Sequence, residues 1–170
     1  MRVSFCIPTH DGNARCQNYL FDIFHALSQQ TNKDFNVWIS DHSESDKVLD
    51  ACKEYADLFE INYIKNTKKY GNISANTNHA LQHADGDILK VLFSDDFILT
   101  CNLVAELDKA FTDDVHWAVT GYAHTVDDGH THYNPKIPYH NDKLLEGVNT
   151  LSSPSILALK RGIDMYFDED

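Results

Sequence analysis

The stretch DILKVLFSDDF, residues 87–97, decides the fold. Ile88, Leu89, Val91, Leu92 and Phe93 form the most continuously apolar run in the chain, interrupted only by Lys90. A short run of this kind reads as a strand buried on both faces, the sort found in parallel sheets covered by helices. It ends in Ser94, Asp95 and Asp96. Adjacent carboxylates repel, and one is driven toward protonation unless a cation or donor compensates. The pair is therefore a solvated turn or a site for something positive.

Outward from this strand, apolar periodicity alternates between strand and helix. Val3 to Ile7 reads as a strand stopped by Pro8, and Ala14 to Gln30 as a helix with apolar residues at 19, 20, 23, 24 and 27. Phe35, Val37 and Ile39 alternate as a second strand. Val48 to Phe59 follows as an amphipathic helix with Ser45 as a plausible cap. Ile61 to Lys65 is a third strand, Ile73 to Ala84 a weaker helix, and Asn102 to Phe111 another helix after the opening strand. Four strands alternating with helices predict a parallel sheet of right-handed crossovers with helices on both faces. The rhythm then changes. HWAVTGYAHTV (116–126) reads as one long strand, DDG (127–129) as a hairpin turn, HTHYN as the return strand and SPSILALKR (153–161) as a last strand. The expectation is one α/β domain over 1–170, with a less regular, partly antiparallel C-terminal part.

At 170 residues the chain suits one domain. Its net charge of −12, from 14 basic and 26 acidic residues, argues against nucleic acid as a partner. Cys6, Cys16, Cys52 and Cys101 match no metal or redox spacing and read as buried thiols in a reducing compartment. The chain opens on a strand without a secretory leader and contains no run long enough to span a membrane, so a cytoplasmic location is expected.

In open parallel sheets, ligands bind beyond the carboxyl ends of the strands, where strand order reverses. PTHDGN, SDHSESD and SDD each follow a strand directly and should share that edge. Adjacent side chains usually diverge, which disfavours Asp95 and Asp96 as a general acid and base pair. A hard divalent cation held by one carboxylate, with its neighbour accepting a hydroxyl, would meet the charge problem.

Taken in order, VSFCIPTHDGNARCQNYLFDIFHALSQQT, FNVWISDHSESD and YGNISANTNHALQHADGDILKVLFSDD resemble an inverting, family-2 glycosyltransferase of the nucleotide-diphospho-sugar type with the GT-A fold. The resemblance runs over roughly residues 3–100. It implies a Rossmann-like, nucleotide-binding half at 1–100 and an acceptor-side half at 101–170, apparently truncated at its C-terminus. It implies that Pro8 and Thr9 lie against the base, Asp41 bonds the base or ribose, and Asn78 belongs to the nucleotide site. Asp95 would contact the ribose and Asp96 would hold Mn2+ or Mg2+. Thr77 stands where an Arg is common, and Phe93 where D-x-D has its first acid.

The implied activity is metal-assisted transfer of a sugar from a nucleotide-diphosphate donor, UDP-sugar foremost, to a carbohydrate or other hydroxyl acceptor. The catalytic base is unassigned. In the family it follows an F-D-E stretch, and here Phe167, Asp168, Glu169 and Asp170 are the last residues; Asp168 to Asp170 could substitute for the base, but they are read as a frayed acidic terminus. The alternative is a non-catalytic or incomplete nucleotide-sugar-binding module. A metal-dependent phosphohydrolase ranks last for want of a nucleophile motif. His124, His130 and His132 read as solvent-facing hairpin residues without a completed zinc set, and His140 is a further acceptor-side candidate. Lys68 and Lys69 either neutralise a diphosphate or belong to a solvated loop. Trp38 and Trp117 are expected to pack.

Overall fold

The alternating periodicity becomes alternating elements. The computed structural model of the chain describes residues 1–12, 15–125, 131–134 and 153–170. They run β1 (Val3–Thr9), α1 (Cys16–Ser28), β2 (Phe35–Asp41), α2 (Lys47–Tyr55), β3 (Ile61–Lys65), α3 (Ile73–His83), β4 (Ile88–Val91) and α4 (Leu103–Ala110). After these come β5 (Trp117–Val119), β6 (Tyr122–Thr125), β7 (Thr131–Asn134), a 3-10 turn (Pro154–Ile156) and β8 (Leu157–Lys160). A six-stranded sheet has the order β3-β2-β1-β4-β8-β5, and β6 with β7 forms a separate ribbon. β3, β2, β1 and β4 are parallel, whereas β8 enters antiparallel between β4 and β5.

Period-two alternation in β1 sorts the core. Val3, Phe5 and Ile7 pack in one cluster with Leu20, Phe24, Val48 and Val104, so α1, α2 and α4 cover that face. Cys6 joins Ala80, Leu81, Leu89, Val91 and Leu159 under α3 on the other. Each large side chain so buried contributes roughly 2 kcal/mol relative to exposure. Close approach also matters where β4 begins. A Cβ on Gly86 would lie 2.6 Å from Ser4 Oγ and 2.8 Å from Ser4 N. Only glycine fits there.

Several elements differ from the sequence reading for identifiable reasons. β1 continues through Pro8 to Thr9. Thr9 bonds toward β2 through its carbonyl and Cys6 toward β4, so Pro8 turns its missing N–H to the β4 side, where that strand has ended. α1 and α2 are shorter than their apolar patterns, and Ala14 lies outside the described residues. The α2 cap position is Asp46, one residue after Ser45, whose hydroxyl donates to Asp11 while its oxygen accepts the Lys47 N–H at 3.4 Å. β4 stops at Val91, and the Phe93 N–H donates to Ser155 Oγ at 2.7 Å. The expected long strand breaks at Thr120 and Gly121: β5 stays in the main sheet and β6 leaves it. The ribbon pairs His124 with His132 by register, while the DDG turn, His130 and His140 lie outside the described residues. Cys101 is exposed rather than buried, and Trp117 is 40% exposed. No helix among the described residues is long and apolar enough to cross a membrane.

Lys90, the interruption in the opening strand, is 2% exposed. Its ammonium donates to the carbonyl oxygens of Val91 (3.1 Å), Leu157 (3.4 Å) and Ser155, tying β4 to the 3-10 turn and β8. Burial pushes its pKa down to about 7, against Asp96, whose charge pulls it up. The ordinary lysine value is 10.5. Between these values the unfolded chain binds more protons than the native one, so stability rises with pH. Relative to Lys90→Met, the wild type should therefore gain stability from about pH 7 to above pH 10, on the order of 5 kcal/mol at full extent. Thermal melts of both proteins across that range check this, and a pH-independent difference would mean that the folded Lys90 stays charged.

Candidate functional site

Strand order reverses between β1 and β4, since β2 and β3 extend the sheet on one side and β4 and β8 on the other. The carboxyl ends of these two strands lie side by side there, and a cleft of about 420 Å³ opens beyond them. Pro8 and Thr9 line it from β1, His10 and His42 from the loops directly after β1 and β2, Asn76 from α3, and Phe93, Ser94 and Asp95 from the turn after β4. Cys16, Tyr19, Gly71 and Ile73 complete the wall. The three polar clusters that follow strands do converge on one edge.

The six residues singled out in the sequence take three different positions. Pro8, Thr9 and Asp95 line the cleft together. Asp41 lies directly behind it, fully buried. It accepts from Thr9 Oγ1 (3.3 Å), the Ser43 N–H (2.8 Å), the Tyr63 hydroxyl (2.7 Å) and Lys65 Nζ (3.4 Å). Burial and donation to Asp41 push the Tyr63 phenol well up. Asp41 thus orients Thr9, and the neighbouring His42 occupies the cleft wall. Asp96 and Asn78 do not line the cleft. Asp96 accepts from Ser153 Oγ at 2.8 Å.

Asn78 is spent on the C-terminal segment. Its Oδ1 accepts the Phe167 N–H and its Nδ2 donates to the Phe167 carbonyl and to Glu169 Oε1, each at 2.8 Å. Asn72 Nδ2 donates to the Glu169 carbonyl at 3.0 Å, and Lys69 pairs with the Glu169 carboxylate at 2.9 Å. The Asn78 hydrogen bond, then Lys69, hold the Glu169 carboxyl below the usual range. The acidic terminus is docked rather than frayed, and Lys69 serves that docking.

Hydrogen-bond partners fix the ring tautomers at the cleft. His10 Nδ1 accepts the Gly12 N–H at 2.8 Å, so its Nε2–H donates to the Tyr70 hydroxyl at 2.8 Å. His42 Nε2 lies 3.0 Å from the Lys68 carbonyl, which can only accept, so a neutral His42 keeps a lone pair on Nδ1. Tyr70 stands between them, its ring centroid 5.3 Å from His10 and 5.9 Å from His42. Next to His42, Ser43 Oγ is the one buried side-chain polar atom without a partner among the described residues. Sequence reading passed over His10, His42 and Tyr70. The available signal was that PTHDGN and SDHSESD each carry a histidine directly after a strand.

The model of the family described as glycosyl transferase family 2 matches residues 4–165. The chain belongs to that family. No curated protein matches it. Among solved structures, S. aureus TarS 1-349 shares 23% identity at a TM-score of 0.54, over 65% of this chain and 31% of that one. TarS 1-349 in complex with UDP shares 21% identity at 0.56, over 64% and 31%. The mannosyltransferase PcManGT from Pyrobaculum calidifontis, in complex with GDP-Man and Mn2+, shares 19% at 0.56, over 70% and 35%. These likenesses give the family-2 chain its GT-A fold. It spans about a third of the length of each.

Asn78 offers a test of the docking. Asn78→Ala removes three hydrogen bonds to half-buried groups that water can partly re-pair, which should cost about 1–2 kcal/mol. Urea unfolding measures the loss. Limited proteolysis should cut first near Phe167, and an unchanged cleavage pattern would count against the docked segment.

Proposed function

We propose that this chain moves a sugar from a nucleoside-diphosphate donor, UDP-sugar foremost, to a hydroxyl acceptor with inversion and with the aid of Mn2+ or Mg2+. The observation that carries this reading is the convergence of Thr9, His42 and Asp95 on one cleft at the strand-order reversal. TarS in complex with UDP and UDP-GlcNAc, and PcManGT in complex with GDP-Man and Mn2+, support a nucleotide-sugar donor for the same fold.

The nucleoside would lie along Pro8 and Thr9, its base against the His10–Tyr70–His42 rings. A neutral His42 offers an acceptor at Nδ1, which suits a base carrying an imino N–H such as uracil or guanine. Asp95 is exposed at the cleft and accepts from ribose hydroxyls. The donor set also fits a hard divalent ion, which needs carboxylate oxygen here and takes its remaining ligands from phosphates and water. Asp95 at the cleft, with Asp96 next to it, would hold that ion, and Lewis-acid stabilisation of the leaving diphosphate is the chemistry it supplies when bound. For Asp96 to take part directly, its bond to Ser153 must open or its other oxygen must serve. The acceptor hydroxyl must lose a proton as it attacks the anomeric carbon from the opposite face. The group that takes the proton is unassigned.

A binding module without turnover is the second reading, and one observation favours it. Glu169, the acid of the F-D-E stretch, is engaged by Asn78 and Lys69 and is thereby made a weaker base.

Calorimetric titration of UDP, GDP, CDP and ADP, with and without Mn2+, tests the assignment. UDP and GDP should bind about tenfold more tightly than CDP and ADP, roughly one hydrogen bond's worth. His42→Phe should erase that preference while keeping the ring contact. Asp95→Asn should weaken binding and, with Asp96→Asn, remove the Mn2+ effect. Failure of every nucleotide to bind sinks the proposal. Binding without donor hydrolysis or transfer selects the module.

A further inference from the structure

Two histidines of α3 take no part in the cleft wall. His79 and His83 are four residues apart and share a helix face, with ring centroids 4.5 Å apart. His83 is exposed and His79 half-buried. Their surroundings dictate both tautomers. Asn76 Nδ2 donates to the Thr9 and Ser40 carbonyls at 3.0 Å each, which makes its Oδ1 the acceptor of the Ser40 hydroxyl at 2.7 Å. With its one proton given to Asn76, Ser40 Oγ can only accept from His79 Nδ1, 2.8 Å away. His83 Nδ1 lies 2.8 Å from the His79 carbonyl, which also can only accept. Both neutral rings therefore carry hydrogen on Nδ1 and present a lone pair on Nε2. Metal-binding imidazoles are held in this way, the distal N–H fixed by an outer acceptor. Burial, then the neighbouring His83, holds His79 below the usual histidine range, which keeps its ring neutral.

We propose that His79 and His83 form a two-histidine site for a borderline divalent transition ion, Zn2+ or Ni2+, separate from the carboxylates of the cleft. Imidazole nitrogen suits these ions, whereas Mg2+ and Mn2+ favour the oxygen donors at Asp95. Among the described residues no group of three or more His, Cys, Asp or Glu gathers. The two rings thus supply the protein ligands, and water fills the other positions. His79 Nδ1 also ties the pair through Ser40 to Asn76, a lining residue of the cleft.

Trp38 provides a local reporter, its ring centroid 6.4 Å from that of His83. The chain has two tryptophans, so Trp117→Phe leaves Trp38 as the sole fluorophore. Ni2+, a short-range quencher, should quench that protein saturably. His83→Gln and His79→Gln should each raise the midpoint by about tenfold or more. Circular dichroism without metal checks the fold of each variant. His83 is exposed, so His83→Gln decides alone if His79→Gln does not fold. No saturable quenching in the parent, or an unchanged midpoint in His83→Gln, overturns the proposal.

Discussion

Two carboxylates on consecutive residues cannot share one environment unless something positive stands between them, and the turn after β4 is built around that constraint. Asp95 goes outward to the cleft and Asp96 inward to Ser153. Part of the compensating charge is internal, because Asp96 acts on the buried ammonium of Lys90. That ammonium also gathers carbonyls from the 3-10 turn and β8, so the same charge that balances Asp96 fastens the antiparallel strand to the parallel sheet. Isolated burial of a lysine would be costly. Three carbonyls and a nearby carboxylate offset part of the cost, and burial still brings the Lys90 pKa down to about 7, so the group is fully charged only below that pH.

The floor of the cleft is held by a second polar network, well separated from the first in character. Asn76 reaches from α3 to the last residue of β1 through the Thr9 carbonyl and to β2 through Ser40. Asn66, at the end of β3, donates to the same Asn76 oxygen at 3.2 Å. Asp41 gathers Thr9, Tyr63 and Lys65 from behind. Buried polar groups that are fully paired rigidify what they join. The strand ends that bound the cleft are therefore fixed before any ligand arrives, which is the preorganisation a binding site needs.

Most of the fold was legible because the elements up to α4 announce themselves by period. β1, β2, β3 and β4 alternate or run apolar, and α1 to α4 show a single apolar face. Legibility failed where tertiary contacts override local pattern. Gly121 is the one local mark in HWAVTGYAHTV, compatible with a bulge in a single strand, and the full separation follows from β5 pairing with β8 and β6 with β7. At the site, position along the chain located the right loops but not the right side chains within them. Asp41 and His42 are neighbours on a strand end and must point to opposite faces, and sequence does not say which one faces the ligand. Asn78 was legible as a special residue, yet its partners lie 89 and 91 residues away and no local pattern encodes them.

The docked C-terminal segment bears on how chemistry could be completed at this cleft. Glu169 is anchored by Asn72, Asn78 and Lys69, and two of these, Lys69 and Asn72, flank Tyr70, which contacts His10, and Gly71, which lines the cleft. Lys69 adopts a left-handed conformation with φ of 49°, uncommon for a side-chain-bearing residue. The acid therefore shapes the rim rather than attacking through it. Withdrawing Glu169 to serve as a proton acceptor would release the loop that forms part of the cleft wall. Binding and base catalysis make opposing demands on this carboxylate, and its three partners favour the structural one.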